Sequence, residues 1–269
     1  MPSTYAHYLF GKEVYKNLDD NIRNIIDRNK ELYLIGLHGP DILFYYKPLQ
    51  SNSINKIGFG MHEKIASEFF EKSSQIIMNT NSADGKRAYI LGFICHYMLD
   101  SECHKYIGEK IKSSGVSHAE IEVEFDRYLL VSKDKNPIKT KLTNHIVANK
   151  QISKDISCFY EEVSEKDVLR ALKSMKRYNN LLVAPGKLKR QIISKLLKRT
   201  GNYEEMHGLM VNYNPNPECM DSCEELQTRF TNAVLPTALL IKEFFNDFNT
   251  NNNFNTNNKL NKRFERNFE

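Results

Sequence analysis

The sequence predicts an all-α fold, a single multi-helix globular domain. Apolar residues recur at helical spacing along most of the chain, no stretch sustains the alternation of a half-buried strand, and no repeat in the roughly 20–50-residue range is present. With 269 residues and 41% hydrophobic content the chain can bury a substantial core. The domain is expected over residues 1–248, followed by a tail at 249–269.

Residues 4–38 carry the helical pattern with Ser3 or Thr4 as a cap and Asp19 or Asp20 interrupting it, which predicts two or three short helices. Gly36-Leu37-His38-Gly39-Pro40-Asp41 ends them, because two glycines and a proline force a turn, so His38 and Asp41 fall on a loop. After a Ser/Asn-rich connection at 51–56, Gly58-Phe59-Gly60-Met61 leads into His62. That histidine is expected to open a helix running through Phe69-Phe70 to Met78. A turn at 79–85 precedes one long helix over 86–112, and Ser117 caps the next, which reaches about Ser132. Lys133–Pro137 reads as a solvated break. Further helices are expected near 138–150, 153–163, 165–182, 186–200 and 222–247, with Ser164 and Asp167 as a capping pair for the third of these. The closing stretch, NTNNNFNTNNKLNKRFERNFE, is Asn-rich and basic and reads as a flexible tail.

Composition narrows the function classes. Five cysteines, an odd and sparse set, argue against a disulfide framework in a chain able to build its own core. The opening MPSTYAHYLFGKEV has neither a basic nor an apolar leader region, and no apolar run approaches the roughly 20 residues of a membrane span. A cytoplasmic setting is the expectation. A net charge of +5 permits contact with phosphate or anionic lipid and demands neither.

The chemistry lies in the first half. In Leu91–Tyr106, LGFICHYMLDSECHKY, His96, Asp100 and His104 recur every four residues and share one helical stripe. A second, shorter ladder follows at His118 and Glu122. Two consecutive antiparallel helices can thus aim three imidazoles and two carboxylates at one point. His7, His38, Asp41 and His62 are further candidates on preceding segments. Imidazole and carboxylate donors without closely spaced cysteines favour zinc, iron or manganese over a thiolate structural site. An isolated i,i+4 His/Asp pair is usually an ordinary hydrogen-bonded pair; two ladders in tandem behind a Gly-Pro-Asp loop make metal binding the stronger reading. More than four ligands imply more than one ion.

The run Pro40-Asp41, His62, His96-x3-Asp100-x3-His104, His118-x3-Glu122 resembles the zinc-dependent phospholipase C family, whose fold is related to that of the S1/P1-type zinc nucleases. The resemblance covers about residues 1–130 and implies the same all-helical architecture. It implies that Asp41, His62, His96 and Asp100 hold one zinc and His104, His118 and Glu122 a second with an open water position. Asp100 would bridge to a third, with His7 as its remaining side-chain ligand, giving two or three ions in all. Asp41 is then the catalytic candidate, orienting or deprotonating the attacking water, and a phospholipid or related phosphodiester is the substrate. Secreted members begin with a tryptophan that helps bind the third zinc, and this chain contains no Trp. His38 matches no family position; it stands as a further ligand or, as the commoner outcome, behind the ligands or against substrate.

Other features have milder readings. Tyr5, Tyr8, Phe44, Tyr45, Tyr46 and Phe59 bracket the ligands and could hold a quaternary ammonium by cation–π attraction, although most are expected to be core. The 186–200 helix sets Leu188, Ile192, Ile193, Leu196 and Leu197 against a lysine- and arginine-rich face. Such a helix can make a peripheral membrane contact, while the commoner arrangement is a bundle helix with a solvated basic face. Cys219-x3-Cys223 is weak as a metal pair, His145 and His207 lack close acidic partners at ladder spacing, and all four are left out of the site. A His-Asp-type phosphohydrolase needs an adjacent His-Asp dipeptide, and a di-iron bundle needs Glu-x-x-His pairs on two helices; the chain has neither. The remaining alternatives are an S1/P1-like nuclease and a non-catalytic module in which zinc stabilises the helices.

Overall fold

A computed structural model describes residues 4–81, 83–199, 201, 203, 207–250 and 260–268. The described residues are helical, with no strand among them. The long helix expected at 86–112 is α6 (Asp84–Ser114), and it is the axis of the molecule. Its segment Ala88–Asp100 is buried without interruption, so it is enclosed on every face by other elements.

Helices α1 (Thr4–Tyr15), α2 (Asp20–Arg28) and α3 (Lys30–Gly36) pack on α6 from one side. The α3–α6 crossing is made by glycines: a Cβ on Gly36 would lie 2.1 Å from the Tyr89 carbonyl oxygen, and one on Gly92 would lie 2.2 Å from that of Tyr33. Bare backbones in contact bring the end of α3, and the 3₁₀ turn Gly39–Tyr45 that follows, directly onto the histidine stripe of α6.

Helix α4 (Ser53–Glu63) corrects the sequence reading. The segment 51–56 is its N-terminus, where Asn52 and Asn55 form a reciprocal capping box. His62 therefore closes α4 rather than opening the next helix, α5 (Ala66–Met78). The chain turns at Lys64 and Ile65, whose extended backbone breaks the helix between them.

Helix α7 (His118–Val131) starts on the predicted Ser117 cap, whose hydroxyl accepts from the Glu120 amide. The helix expected at 138–150 does not form. Residues 133–149 run as turns, and α8 (Lys150–Ser157) begins only at the Asn149 cap. Helix α9 (Glu165–Leu182) has the predicted Ser164–Asp167 capping box. Helices α10 (Lys187–Arg199) and α11 (Met220–Thr250) follow.

The flexible-tail expectation is also corrected. Its residues 251–259 lie outside the described residues, but Leu260–Phe268 packs against the body of the protein. Phe264 and Phe268 are each 1% exposed and belong to the main hydrophobic core. Three main-chain links hold the segment: the Tyr97 hydroxyl donates to the Arg263 carbonyl, Ala66 N–H to the Arg266 carbonyl, and Phe268 N–H to the His62 carbonyl. Two phenylalanines spaced for burial outweighed the polar composition around them. No helix among the described residues is long and apolar enough to cross a membrane.

Candidate metal centre

Five separate elements deliver the eight predicted side chains to one region: His7 from α1, Asp41 from the 3₁₀ turn, His62 from the end of α4, His96, Asp100 and His104 from α6, and His118 and Glu122 from α7. Their donor atoms form three groups able to hold an ion, His7/His96/Asp100, Asp41/His62/His96 and His104/His118/Glu122.

Asp100 sits at the centre with its two oxygens facing opposite ways. Oδ2 lies 3.1 Å from His96 Nε2 and 3.6 Å from His62 Nε2, while Oδ1 lies 3.1 Å from His7 Nε2 and 3.6 Å from His104 Nε2. Asp41 stands across from it, Oδ1 3.1 Å from His62 Nε2 and Oδ2 3.7 Å from His96 Nε2. Glu122 Oε1 is 3.1 Å from His118 Nε2 and 3.7 Å from His104 Nε2.

These distances discriminate between two uses of the same residues. Donors held about 2.1 Å from a tetrahedral zinc are about 3.4 Å apart, and the observed 3.1–3.7 Å range brackets that spacing. Hydrogen-bond alignment is poor by contrast. Both Asp41 oxygens, both His96 nitrogens, Asp100 Oδ2 and Glu122 Oε2 are buried without a hydrogen-bond partner. Orphaned buried carboxylate and imidazole atoms are costly, and cations bound in the cluster would satisfy those that face it, the Asp41 oxygens, His96 Nε2 and Asp100 Oδ2 among them. The nitrogen and oxygen donor set, free of thiolate, fits zinc.

The electrostatics agree. Burial pulls the Asp100 carboxyl up, but the imidazoles of His96, His104, His7 and His62 overcome it and hold Asp100 well below the usual carboxylate range. Glu122 is held down in the same way by His118 and His104 against its burial. Burial works against charge on His62 and His104 too, yet the adjacent carboxylates push them up to about 10 and about 9. For the fully enclosed His96 burial wins over the carboxylates, and its imidazole is lowered.

Supporting contacts set the ligand orientation. His62 Nδ1–H donates to the Gly58 carbonyl at 3.0 Å, which leaves Nε2 as the donor atom that faces the carboxylates. Gly39, at φ +46°, lets the loop lie flat on His96, where a Cβ would meet the ring at 2.2 Å. The Gly39 carbonyl is pinned by the Tyr160 hydroxyl, itself bonded to Tyr89. Asp126 accepts from the amides of Tyr5 and Ala6 at 2.9 and 2.7 Å, capping α1 from another helix and fixing His7 one residue later. Asp126 was not counted in the sequence reading, although it continues the His118, Glu122 stripe by another four residues.

The groups differ in exposure. Asp41, His96 and Asp100 are at most 2% exposed, whereas the His118 side chain is 42% exposed. The His104/His118/Glu122 group is a three-donor set at the open edge of the cluster. His38 is fully buried and forms no part of the ligand groups: its Nε2 lies 2.7 Å from His145 Nε2, and His145 stacks on Tyr8. His38 thus sits buried behind the loop, paired with His145. Its partner His145 had no signal in the sequence, since the pair is joined across 107 positions. Of the bracketing aromatics, Tyr5, Phe44 and Tyr45 are core, while Phe59 is half-exposed, stacked on Phe44 beside His62.

A helical bundle whose own axis carries a histidine–carboxylate cluster of this composition has the donor groups of a metal-dependent protein. The zinc-dependent phospholipase C family matches residues 6–175, a span that contains all eight candidate ligands, and the chain belongs to that family. No curated protein and no solved structure matches the chain.

Proposed function

We propose that the chain is a multinuclear zinc phosphodiesterase acting on phospholipids, with the eight converging residues as its ligands. Asp41, His62, His96 and Asp100 hold one zinc, His104, His118 and Glu122 a second, and His7 with Asp100 a third. The observation that carries this reading is the two-sided Asp100 carboxylate, whose oxygens face different imidazole pairs as a bridging ligand requires. Zinc supplies Lewis acidity and hydroxide at neutral pH, the two needs of phosphodiester hydrolysis.

The chain's own residues do the rest. Asp41, buried against His62 and His96, orients the attacking water and accepts its proton. The three-donor group at His118 leaves a position open to solvent, as catalytic rather than structural zinc sites do. Half-exposed Phe59, stacked on the buried Phe44 that packs against His62, offers an aromatic face for a quaternary-ammonium headgroup.

Metal analysis and turnover test the proposal together. Purified protein is expected to carry two or three zinc equivalents, to lose at least one in Asp100→Ala, and to hydrolyse phosphatidylcholine and a short-chain soluble analogue faster than single-stranded DNA. Fewer than two equivalents, unchanged in Asp100→Ala, refutes the metal cluster. Two or more equivalents with DNA as the preferred substrate refutes the lipid assignment and leaves a nuclease.

A further inference from the structure

Helix α10 carries six Lys or Arg among its 13 residues and no acidic one. Only Ile193 and Leu197 turn inward, where they join Ala184 and Met210 in a small satellite core. Leu188, Ile192 and Leu196 point the other way, 72%, 59% and 53% exposed, and their four-residue spacing makes them one continuous ridge. Lys187, Lys195, Lys198 and Arg199 are exposed on the same short helix. A bundle helix turns its apolar residues inward and its charges out. Here large aliphatic side chains and cations share the outer surface.

The helix is braced where it stands. Lys189 donates to the Val183 carbonyl at 2.6 Å, and Arg190 donates to the Val211 carbonyl while lying over the Tyr213 ring. It also connects to the metal-bearing body. Met210 of the satellite core follows Gly208, where a Cβ would come within 3.4 Å of Ser117 and Ala119, the residues flanking His118.

We propose that the outer face of α10 is a docking surface for a bilayer carrying anionic headgroups. Charge complementarity selects this occupant: the cations carry no acidic neighbour on the helix, so the face attracts negative charge. The apolar ridge selects a bilayer over a soluble polyanion, which would use the cations and leave three aliphatic side chains in water. An interfacial helix satisfies both, sinking its ridge roughly 5–10 Å into the headgroup and acyl boundary while its lysines meet lipid phosphate. The inference goes beyond the hydrolase reading and does not depend on it, since binding is read without turnover.

Cosedimentation of the full chain with sucrose-loaded vesicles tests it, using phosphatidylcholine alone and phosphatidylcholine with about 30 mol% phosphatidylglycerol. Binding is expected to the anionic vesicles, to weaken with added salt, and to be far lower on phosphatidylcholine alone. Leu188→Ser/Ile192→Ser/Leu196→Ser should lower the partition coefficient at least about tenfold, and Lys187→Ala/Lys195→Ala should lower it without touching the ridge. Because all five side chains are exposed, the melting temperature and turnover of a soluble short-chain substrate should stay at wild-type values. Equal partitioning of wild type and the triple variant overturns the proposal. So does sedimentation equilibrium showing a dimer that the triple variant abolishes, which would make a second copy the occupant. Loss of zinc-dependent turnover with vesicle binding intact would sink the hydrolase reading alone.

Discussion

Replacing Gly39 by alanine removes no ligand and should nevertheless disable the cluster. A Cβ at this position would sit 2.2 Å from His96 Cδ2, 2.6 Å from Cγ and 2.8 Å from Nε2. To reach even 3.4 Å, the near limit of ordinary contact, the imidazole must recede by about 1.2 Å. Zinc ligands tolerate distance errors of only about 0.2 Å, so His96 leaves the set. The ring cannot swing elsewhere, being fully buried against Phe93, Phe268 and His7. A backbone at φ +46° adds roughly 1–2 kcal/mol of strain for any residue with a Cβ. Gly39→Ala is therefore expected to lose about one zinc equivalent and on the order of a hundredfold in turnover. Gly115→Ala is the control. It also has positive φ, at +73°, but its Cβ would meet nothing within 4 Å, so it bears the strain alone and should keep its zinc. Zinc content by elemental analysis and phosphodiester turnover decide the matter. A Gly39→Ala protein with wild-type zinc and activity refutes the placement of the loop on His96.

Two further perturbations follow from the packing. Phe268→Ala empties a fully buried site whose ring centroid lies 5.2 Å from that of His62 and 6.0 Å from that of His96; it should cost about 3 kcal/mol and lower the melting temperature by roughly 6–12 °C, whereas a shift below about 1 °C would mean the terminal segment does not dock. The His145 imidazole is pushed down to about 4, chiefly by burial and further by Lys176, from an ordinary value of 6.5. The folded state then binds fewer protons than the unfolded chain between these values, so this residue's contribution is complete above pH 6.5 and is lost as pH falls toward 4, by at most about 3 kcal/mol. An NMR titration should put His145 below about 5, and His145→Gln should flatten the acid side of the stability curve; a midpoint at 6.5 refutes the burial of the pair.

The helices and the ligand ladders were legible because their information is local. Four-residue recurrence at His96, Asp100 and His104, and again at His118 and Glu122, needs only the helical period to become a stripe. The Ser117 and Ser164 caps are likewise encoded within three residues of themselves. Misreadings arose where local and distant preferences conflict. His62 was expected to begin a helix because glycines precede it, but the Asn52 capping box starts α4 earlier and Gly58 is needed for clearance from the Pro40 carbonyl and Phe44. The tail was expected to be flexible from its asparagines, but Phe264 and Phe268 find a core that exists only after α5 and α6 have packed.

By itself, then, the sequence determined that the protein is helical, which side chains share a stripe, and that an imidazole and carboxylate set of zinc-binding character is present. Tertiary structure alone decided that α1, the Gly39 turn and α4 meet α6 and α7 at one place, that Asp100 faces two ways, that His38 is spent on His145, and that the ridge of α10 faces outward. The physical reason is range. Helical periodicity is fixed by bonds between residues three or four apart, whereas convergence depends on how closely distant backbones approach, and here that approach is set by contacts such as Gly36 on Gly92.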